Sequence, residues 1–326
     1  ELLSLVGRAL YFMASKMPGE HFVLSNTSEV PKILQAAMQK FVGQPIRAQT
    51  LDITGCFPNM PKSEIREAMA AMMRIFKEEG KHGVSVPGRG KARKCTWKQC
   101  GAPYKWITFE LMREVLDFSL DQAIFTTRDG VLIRQKNGIP MGDPLSPAMC
   151  IGTCAYMETR WMRGLNKTEK SRFMAARFMD DILLISNTMG VEHDKLLEGL
   201  HACYSDPLSL EEGTEGIFLE TQFRVLGDYI AYRIKNVNAG PQRVVWRYHD
   251  FDSYVPYIQK RSTMLATLKK VQFMAGSKNE LWESAADKLD EFARIGYPIR
   301  VRRYACFRML KETGDETWVG IATRQS

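Results

Sequence analysis

Two adjacent aspartates in a tight turn between short apolar strands most constrain how this chain folds. Arg177-Phe178 and Ile182-Leu183-Leu184-Ile185 have strand character, and Met179, Asp180 and Asp181 form the turn between them. A hairpin of this kind places both carboxylates at its tip. Taken alone, an Asp-Asp turn is more often a solvated surface turn than a functional site. The pair therefore indicates a function only if other functional residues lie beside it.

A third acid follows another strand pattern. Residues 46–53 alternate between apolar and polar side chains, and the pattern stops at Gly55, which predicts a strand that carries Asp52 near its end. Asp52 is distant in sequence from Asp180 and Asp181, but the three can meet if their strands are neighbours. Mg²⁺ prefers carboxylate oxygens, and two bound divalent ions promote phosphoryl transfer. These three acids are therefore candidate magnesium ligands, and a solvated turn remains the alternative for the Asp-Asp pair.

The order of predicted elements indicates an α+β protein. Residues 1–45 have the apolar spacing of two helices, and residues 46–240 mix strands with helices. Residues 80–105 lack helical periodicity and carry many basic residues without an acid, which predicts a basic surface insertion. Residues 241–326 are mainly helical and basic. A length of 326 residues suits two or three packed units.

Net charge and cysteine content indicate what kind of partner the protein has and where in the cell it works. The net charge of +8 favours a polyanionic partner, because basic side chains release counterions from phosphates. The seven irregularly spaced cysteines predict reduced thiols, mostly in the core, and an intracellular location. The sequence contains no apolar run long enough to cross a bilayer. It begins at Glu1 without an initiator methionine, so we expect it to be a fragment of a longer chain.

Three segments in a fixed order resemble motifs A, B and C of reverse transcriptases. They are Leu51-Asp52-Ile53-Thr54-Gly55-Cys56-Phe57, Gly138-Ile139-Pro140-Met141-Gly142-Asp143-Pro144-Leu145-Ser146-Pro147 and Phe178-Met179-Asp180-Asp181. The resemblance implies a right-hand polymerase, with an antiparallel palm sheet packed on helices. It implies partial fingers or palm-entry helices at 1–45, a palm at 46–240 with the insertion at 80–105, and a mainly helical thumb at 241–326. The implied activity is RNA-directed DNA synthesis from a primer.

The resemblance also implies roles for individual residues. Asp52 and Asp180 would be the principal metal ligands, Asp181 a secondary acid, and the backbone carbonyl of Ile53 a further ligand for two Mg²⁺, with Mn²⁺ as a substitute. Phe57 would block the ribose 2′-hydroxyl and so select dNTPs, although a plain core aromatic is the alternative. RNA polymerases commonly have a second aspartate at that point, which disfavours NTP use here.

Motif B supplies the remaining nucleotide-binding residues. Gly138 and Gly142 would allow close approach of the backbone to the nascent pair and template, and Pro147 would begin a helix that lines the nucleotide pocket. Asp143 departs from the family, since many relatives have Ser or Arg there. The lysine expected in motif D is also hard to place, because residues 204–216 contain none.

Further segments are similar to Penelope-like retroelements, the group near telomerase reverse transcriptase. The similar stretches cover most of residues 20–305, and motif B mixes features of this group with those of non-LTR and group II intron enzymes. They are Asp52-Ile53-Thr54 through Asn59-Met60-Pro61, Phe218-Leu219-Glu220-Thr221, Tyr248-His249-Asp250-Phe251-Asp252-Ser253-Tyr254-Val255-Pro256 and Arg294-Ile295-Gly296-Tyr297-Pro298. This likeness implies an RNA template, a DNA primer and dNTPs as partners, no membrane, a nuclear location, and fingers or endonuclease regions elsewhere in a longer chain.

Basic residues outside the motifs are candidates for nucleic-acid contacts. A solvated basic surface is the alternative for all of them. The candidates are Lys91, Arg93, Lys94, Lys260, Arg261, Lys269 and Lys270. A zinc site at His82, Cys95 and Cys100 is disfavoured, because a fourth ligand is missing and the spacing is wrong.

Two other functions remain open from the sequence. A catalytically idle, RNA-binding scaffold is the main alternative to a polymerase, suggested by the missing fingers and by Asp143. The presence of Asp52, Asp180 and Asp181 together argues against it. The third, an RNA polymerase, is disfavoured by Phe57.

Overall fold

A computed structural model describes residues 1–88, 94–204, 206–238 and 247–324. Their contacts form two compact units, one of Glu1–Asn26 with Gln49–Gly213 and one of Thr27–Ala48 with Thr214–Ser326. Both units combine helices with antiparallel strands, which confirms the predicted α+β class with a palm-like sheet. The units do not divide at the predicted 45/46 and 240/241 boundaries. Within the described ranges, no helix is both long and apolar enough to span a membrane.

The first unit is built on a four-stranded sheet in the order β6-β7-β1-β8. β6 and β7 pair antiparallel through the predicted acid-bearing turn, with Phe178 opposite Asp181. β1 pairs antiparallel with β8, with Asp52 opposite Glu211. The strands are β1 (Arg47–Thr54), β6 (Phe173–Phe178), β7 (Asp181–Ser186) and β8 (Ser209–Glu212).

Helices cover this sheet through the apolar faces that the sequence predicted. Ile65, Met69, Met72, Met73 and Phe76 are all buried, as expected from their helical spacing. The helices are α1 (Leu2–Ala14), α3 (Cys56–Asn59), α4 (Lys62–Glu78), α5 (Phe109–Asp121), α6 (Ser146–Gly164), α7 (Lys167–Ser171) and α8 (Val191–Cys203).

Two short antiparallel ribbons complete the first unit. β4 (Ile124–Thr126) and β5 (Leu132–Arg134) form the hairpin predicted around Asp129-Gly130. The predicted basic surface loop is only partly a loop, because β2 (Gly83–Pro87) is buried and pairs with β3 (Tyr104–Thr108). Val84 and Val86 supply its buried apolar side chains, Ser85 between them is buried as well, and the surrounding glycines and bases hide this strand in the sequence.

The second unit has a three-stranded sheet in the order β11-β10-β9 and its own apolar core. Trp318 is fully buried at its centre, and its indole N–H donates to the Gln272 side chain at 2.6 Å. The predicted second N-terminal helix belongs to this unit, because it packs on β11. The elements are α2 (Val30–Lys40), β9 (Ile217–Phe218), β10 (Thr221–Leu226), β11 (Tyr229–Ile234), α9 (Tyr257–Met274), α10 (Lys278–Arg294), α11 (Ile299–Thr313) and α12 (Thr317–Thr323).

Candidate active site

The end of β1 lies beside the acid-bearing hairpin. The backbone N–H of Ile53 donates to the carbonyl of Asp180 at 3.1 Å, so the residue after Asp52 is bonded to the hairpin tip. Asp52 and Asp180 are half-buried, and Asp181 is exposed at the start of β7. At the tip, Met179 has a φ of 57°, a left-handed conformation that is uncommon for a residue with a side chain. Carboxylates from two distant parts of the sequence therefore lie at neighbouring ends of the two central strands of the sheet.

The carboxylates influence one another electrostatically. Burial raises the pKa of Asp52, and the negative charges of Asp180 and Glu211 raise it further. Partial desolvation at the hairpin likewise raises the pKa of the exposed Asp181, with added contributions from Asp180 and Asp52. The charged forms of Asp52 and Asp181 are thus destabilised by their neighbours. A cation between them would relieve this repulsion, which is the electrostatic condition for a metal site.

Glu211 is an acid that the sequence analysis missed. It lies opposite Asp52 on β8, and its carboxylate accepts a hydrogen bond from the Thr54 hydroxyl. The sequence contains a signal for it, since Ser209-Leu210-Glu211-Glu212 alternates like a short strand. Nothing in that pattern reveals that β8 pairs with β1, because strand pairing over this sequence distance depends on the whole fold.

Phe57 is held in place through its backbone rather than through its ring alone. The Ile139 N–H donates to the Phe57 carbonyl at 2.6 Å. A Cβ on Gly138 would lie 2.4 Å from the Phe57 carbonyl oxygen and 2.3 Å from that of Pro58. A glycine at position 138 is therefore required by close contact with the backbone of Phe57 and Pro58, whether or not it also approaches the nascent pair. The Phe57 ring is half-buried and packs against the core.

The rest of motif B forms a loop that leads into α6. Gly142 is exposed with a φ of 89°, and a Cβ there would meet no atom within 4 Å. The Asp143 carboxylate accepts hydrogen bonds from the Ser119 hydroxyl at 2.7 Å and the Leu145 N–H at 2.8 Å. This local role accounts for the unusual acid. Helix α6 begins at Ser146, and Pro147 follows in its first turn.

The chemistry of the acids fits a hard divalent cation. Asp52, Asp180 and Asp181 offer oxygen donors, the type that Mg²⁺ requires. Among the described residues, the ligand atoms of these acids are not drawn together within 4.8 Å, which is consistent with repulsion between like charges.

Within the same described part of the chain, a group of three metal-ligand side chains does approach that closely, and it is formed by Cys56, Cys150 and Cys154. The three thiols are buried and free of disulfides. They have no fourth donor in the described ranges and lie in an apolar core, so they pack as small apolar side chains. The disfavoured zinc set of His82, Cys95 and Cys100 forms no such group in those ranges.

The predicted nucleic-acid contacts have varied surroundings. Lys94 is exposed in the first unit, while Lys91 and Arg93 lie outside the described residues. In the second unit, Lys260 is buried, and its ammonium donates to the carbonyls of Phe251 and Ser253.

The other candidate bases of the second unit also have partners. The Arg261 guanidinium lies 4.2 Å from the ring centroid of Tyr304 and 5.5 Å from that of Tyr257. Lys269 forms an exposed ion pair with Glu312 at 2.6 Å, and Lys270 pairs with Glu220. Exposed pairs of this kind are weak, so a phosphate could compete for either lysine.

No protein-family model and no curated protein matches the sequence. Among solved structures, the chain is similar to a telomerase from Candida albicans in complex with the TWJ fragment of telomeric RNA, with a TM-score of 0.63 at 13% identity over 99% of this chain and 56% of that chain. An apo telomerase from Candida tropicalis matches with a TM-score of 0.55 at 14% identity over 98% and 55%. The Candida tropicalis telomerase in complex with the TWJ fragment of telomeric RNA matches with a TM-score of 0.53 at 15% identity, over 95% of this chain and 47% of that chain. The chain therefore has a fold similar to part of these telomerase chains, and it spans about half the length of the chains that it matches.

Proposed function

We propose that this chain carries the catalytic centre of an RNA-directed DNA polymerase, which extends a primer with dNTPs on an RNA template. The observation that supports it most is the hydrogen bond between Ile53 and Asp180, which brings the Asp52 strand to the Asp180-Asp181 hairpin within a polymerase-like fold. A retroelement of the Penelope-like group is the proposed origin, on the sequence segments given above.

Asp52 and Asp180 are the proposed principal ligands for two Mg²⁺ ions, which Mn²⁺ can replace, with Asp181 and the Ile53 carbonyl in support. Bound there, such ions would make a primer 3′-hydroxyl more nucleophilic and neutralise the leaving pyrophosphate. The protein's own contribution is to place the carboxylates and to exclude an NTP at Phe57. The backbone contacts with Ile139 and Gly138 hold that residue in position.

Nucleic acid is the proposed partner of the basic surfaces. The Candida albicans match was solved with a fragment of telomeric RNA, which is consistent with an RNA template for this chain. Lys94, Arg261, Lys269 and Lys270 are the proposed contacts with a phosphate backbone, because each is a basic side chain that is exposed or half-buried. The ammonium of Lys260 instead supports the loop before α9, because two carbonyls already accept from it.

The catalytic proposal is tested by primer extension on an RNA template with Mg²⁺. Wild type should extend with dNTPs and poorly with NTPs, and Asp180→Asn should reduce extension by at least about 100-fold, since a principal ligand is lost. Asp129→Asn is the matched control, because it alters an exposed turn aspartate of the β4–β5 hairpin. Asp129→Asn should extend like wild type.

The same assay separates the alternatives. Extension that survives Asp180→Asn would reject the proposed site. Equal use of NTPs and dNTPs would contradict the role of Phe57 and favour an RNA polymerase. RNA binding by a wild type that extends nothing, under both Mg²⁺ and Mn²⁺, would favour the idle scaffold.

A further inference from the structure

A fully buried ion pair lies directly behind the acid-bearing hairpin. The side chains of Arg177 on β6 and Glu158 on α6 are both 0% exposed, and the guanidinium donates to the carboxylate. The same carboxylate accepts from the Phe22 N–H at 2.8 Å and from the Tyr204 hydroxyl at 3.1 Å. Burying two charges is costly, and an apolar pair of similar size is often as stable. The pair therefore calls for an explanation other than stability.

Arg177 reaches past this pair to the tip of the hairpin. Its Nη1 donates to the Met179 carbonyl at 2.6 Å, within the turn that carries Asp180. Met179 has the left-handed φ of 57°, which costs a residue with a side chain some conformational energy. An arginine bonded to the carbonyl of that residue holds the turn in this conformation.

The backbone of Arg177 is held as well. Its N–H donates to the Phe22 carbonyl at 2.5 Å, and its carbonyl accepts from the Leu24 N–H at 2.8 Å. Since Glu158 also accepts from the Phe22 N–H, one segment braces both members of the pair. The hairpin tip is thus tied to α6, which begins at motif B, and to the chain that follows α1.

We propose that Arg177, braced by Glu158, is a positioning residue that sets the hairpin tip so that Asp180 and Asp181 can hold the metal ions. This inference rests on the proposed function, because it concerns the same carboxylates. Its action is geometric. The pair is neutral overall, and metal coordination by carboxylates tolerates little displacement of the ligands.

The test uses a readout that does not depend on polymerisation, the binding of Mn²⁺ followed by electron paramagnetic resonance. Arg177→Lys keeps the buried positive charge but cannot bond Glu158 and Met179 in the same fork. We expect it to weaken Mn²⁺ binding by about 10-fold or more and to lower kcat for extension similarly, with KM for the primer-template changed by less than about twofold.

Tyr204→Phe is the matched control. It removes a hydrogen bond to the same Glu158 oxygen but leaves the contact with Met179 intact. It should lower Tm and leave Mn²⁺ affinity within about twofold of wild type. The proposal would be overturned if Arg177→Lys bound Mn²⁺ as tightly as wild type, or if both variants lost Mn²⁺ affinity equally. The ion pair would then have only a structural role.

A second variant covers the case in which Arg177→Lys does not fold. The double change Glu158→Met with Arg177→Met removes both charges together, so neither is left buried and unpaired. We expect this protein to fold and to bind Mn²⁺ weakly, and wild-type Mn²⁺ affinity in it would reject the proposal.

Failure of the two proposals can be told apart. A wild type that binds Mn²⁺ in an Asp180-dependent manner but extends no primer would reject the polymerase, and Arg177 would be judged on metal affinity alone. A wild type without Asp180-dependent Mn²⁺ binding would reject both.

Discussion

At the scale of residues, the candidate site is a set of acids that oppose one another. Asp52 and Asp181 both have raised pKa values, through desolvation first and then through neighbouring negative charge. Such groups weaken the metal-free fold while preparing it for a cation, a common compromise at functional sites.

This repulsion has a consequence for stability that depends on pH. Because the pKa of Asp181 is raised on folding, the folded chain binds more protons than the unfolded chain between the ordinary carboxyl pKa and the raised value. Stability therefore falls as pH rises through that window, and above it the charge on Asp181 opposes folding. Asp181→Asn should raise the Tm of the metal-free protein at neutral pH by roughly 1–2 °C, a small effect because the side chain is exposed.

Thermal unfolding in a chelator at several pH values measures this effect. The advantage of Asp181→Asn should disappear below about pH 4, where the wild-type carboxyl is protonated in both states. Asp129→Asn should show no gain at any pH. A lower Tm for Asp181→Asn at neutral pH would contradict the electrostatic account.

At the scale of elements, motif B supports motif A through the backbone. The loop before α6 has its glycine, Gly138, pressed against the carbonyls of Phe57 and Pro58, with a φ of 77°. Ile139 adds a backbone hydrogen bond to Phe57. Gly138 and Ile139 thus hold motif B against the end of motif A.

Gly138→Ala should destabilise the protein by about 2–4 kcal/mol, because the new Cβ meets two carbonyls and the φ is left-handed. Gly142→Ala is the matched control in the same loop. Its φ of 89° is also left-handed, but open space surrounds it, so the cost should be about 1 kcal/mol. Urea unfolding compares the two, and equal losses would show that the contact with Phe57 and Pro58 contributes little.

At the scale of the whole molecule, the residues that the structure describes form two apolar cores. The acids belong to the first unit, and Trp318 is central to the core of the second. Since each unit has its own core, we expect each to unfold with its own transition.

Calorimetry with and without Mn²⁺ tests this division. Mn²⁺ should raise the transition temperature of the first unit, because the acids bind the ion only when this unit is folded. Trp318→Ala should reduce the free energy of unfolding of the second unit by about 3–5 kcal/mol. It should leave the Mn²⁺-sensitive transition of the first unit unchanged. A single transition that responds to both changes would contradict the expectation.

The sequence by itself determined the elements that local chemistry specifies. The methionine face of α4, the Asp129-Gly130 hairpin and the turn at Asp180-Asp181 all follow from periodicity and turn residues. These features depend on residues a few positions apart in the chain, so they can be predicted from the sequence alone.

Only the tertiary structure decided which distant groups meet. Glu211 opposite Asp52, Gly138 against Phe57 and Arg177 behind Met179 each join parts of the chain that pack through cores and strand pairing rather than through a local pattern. The buried strand β2 was missed for a related reason, since its short alternation lies among glycines and bases. Long-range pairing is set by the burial of whole faces, and no local sequence pattern records it.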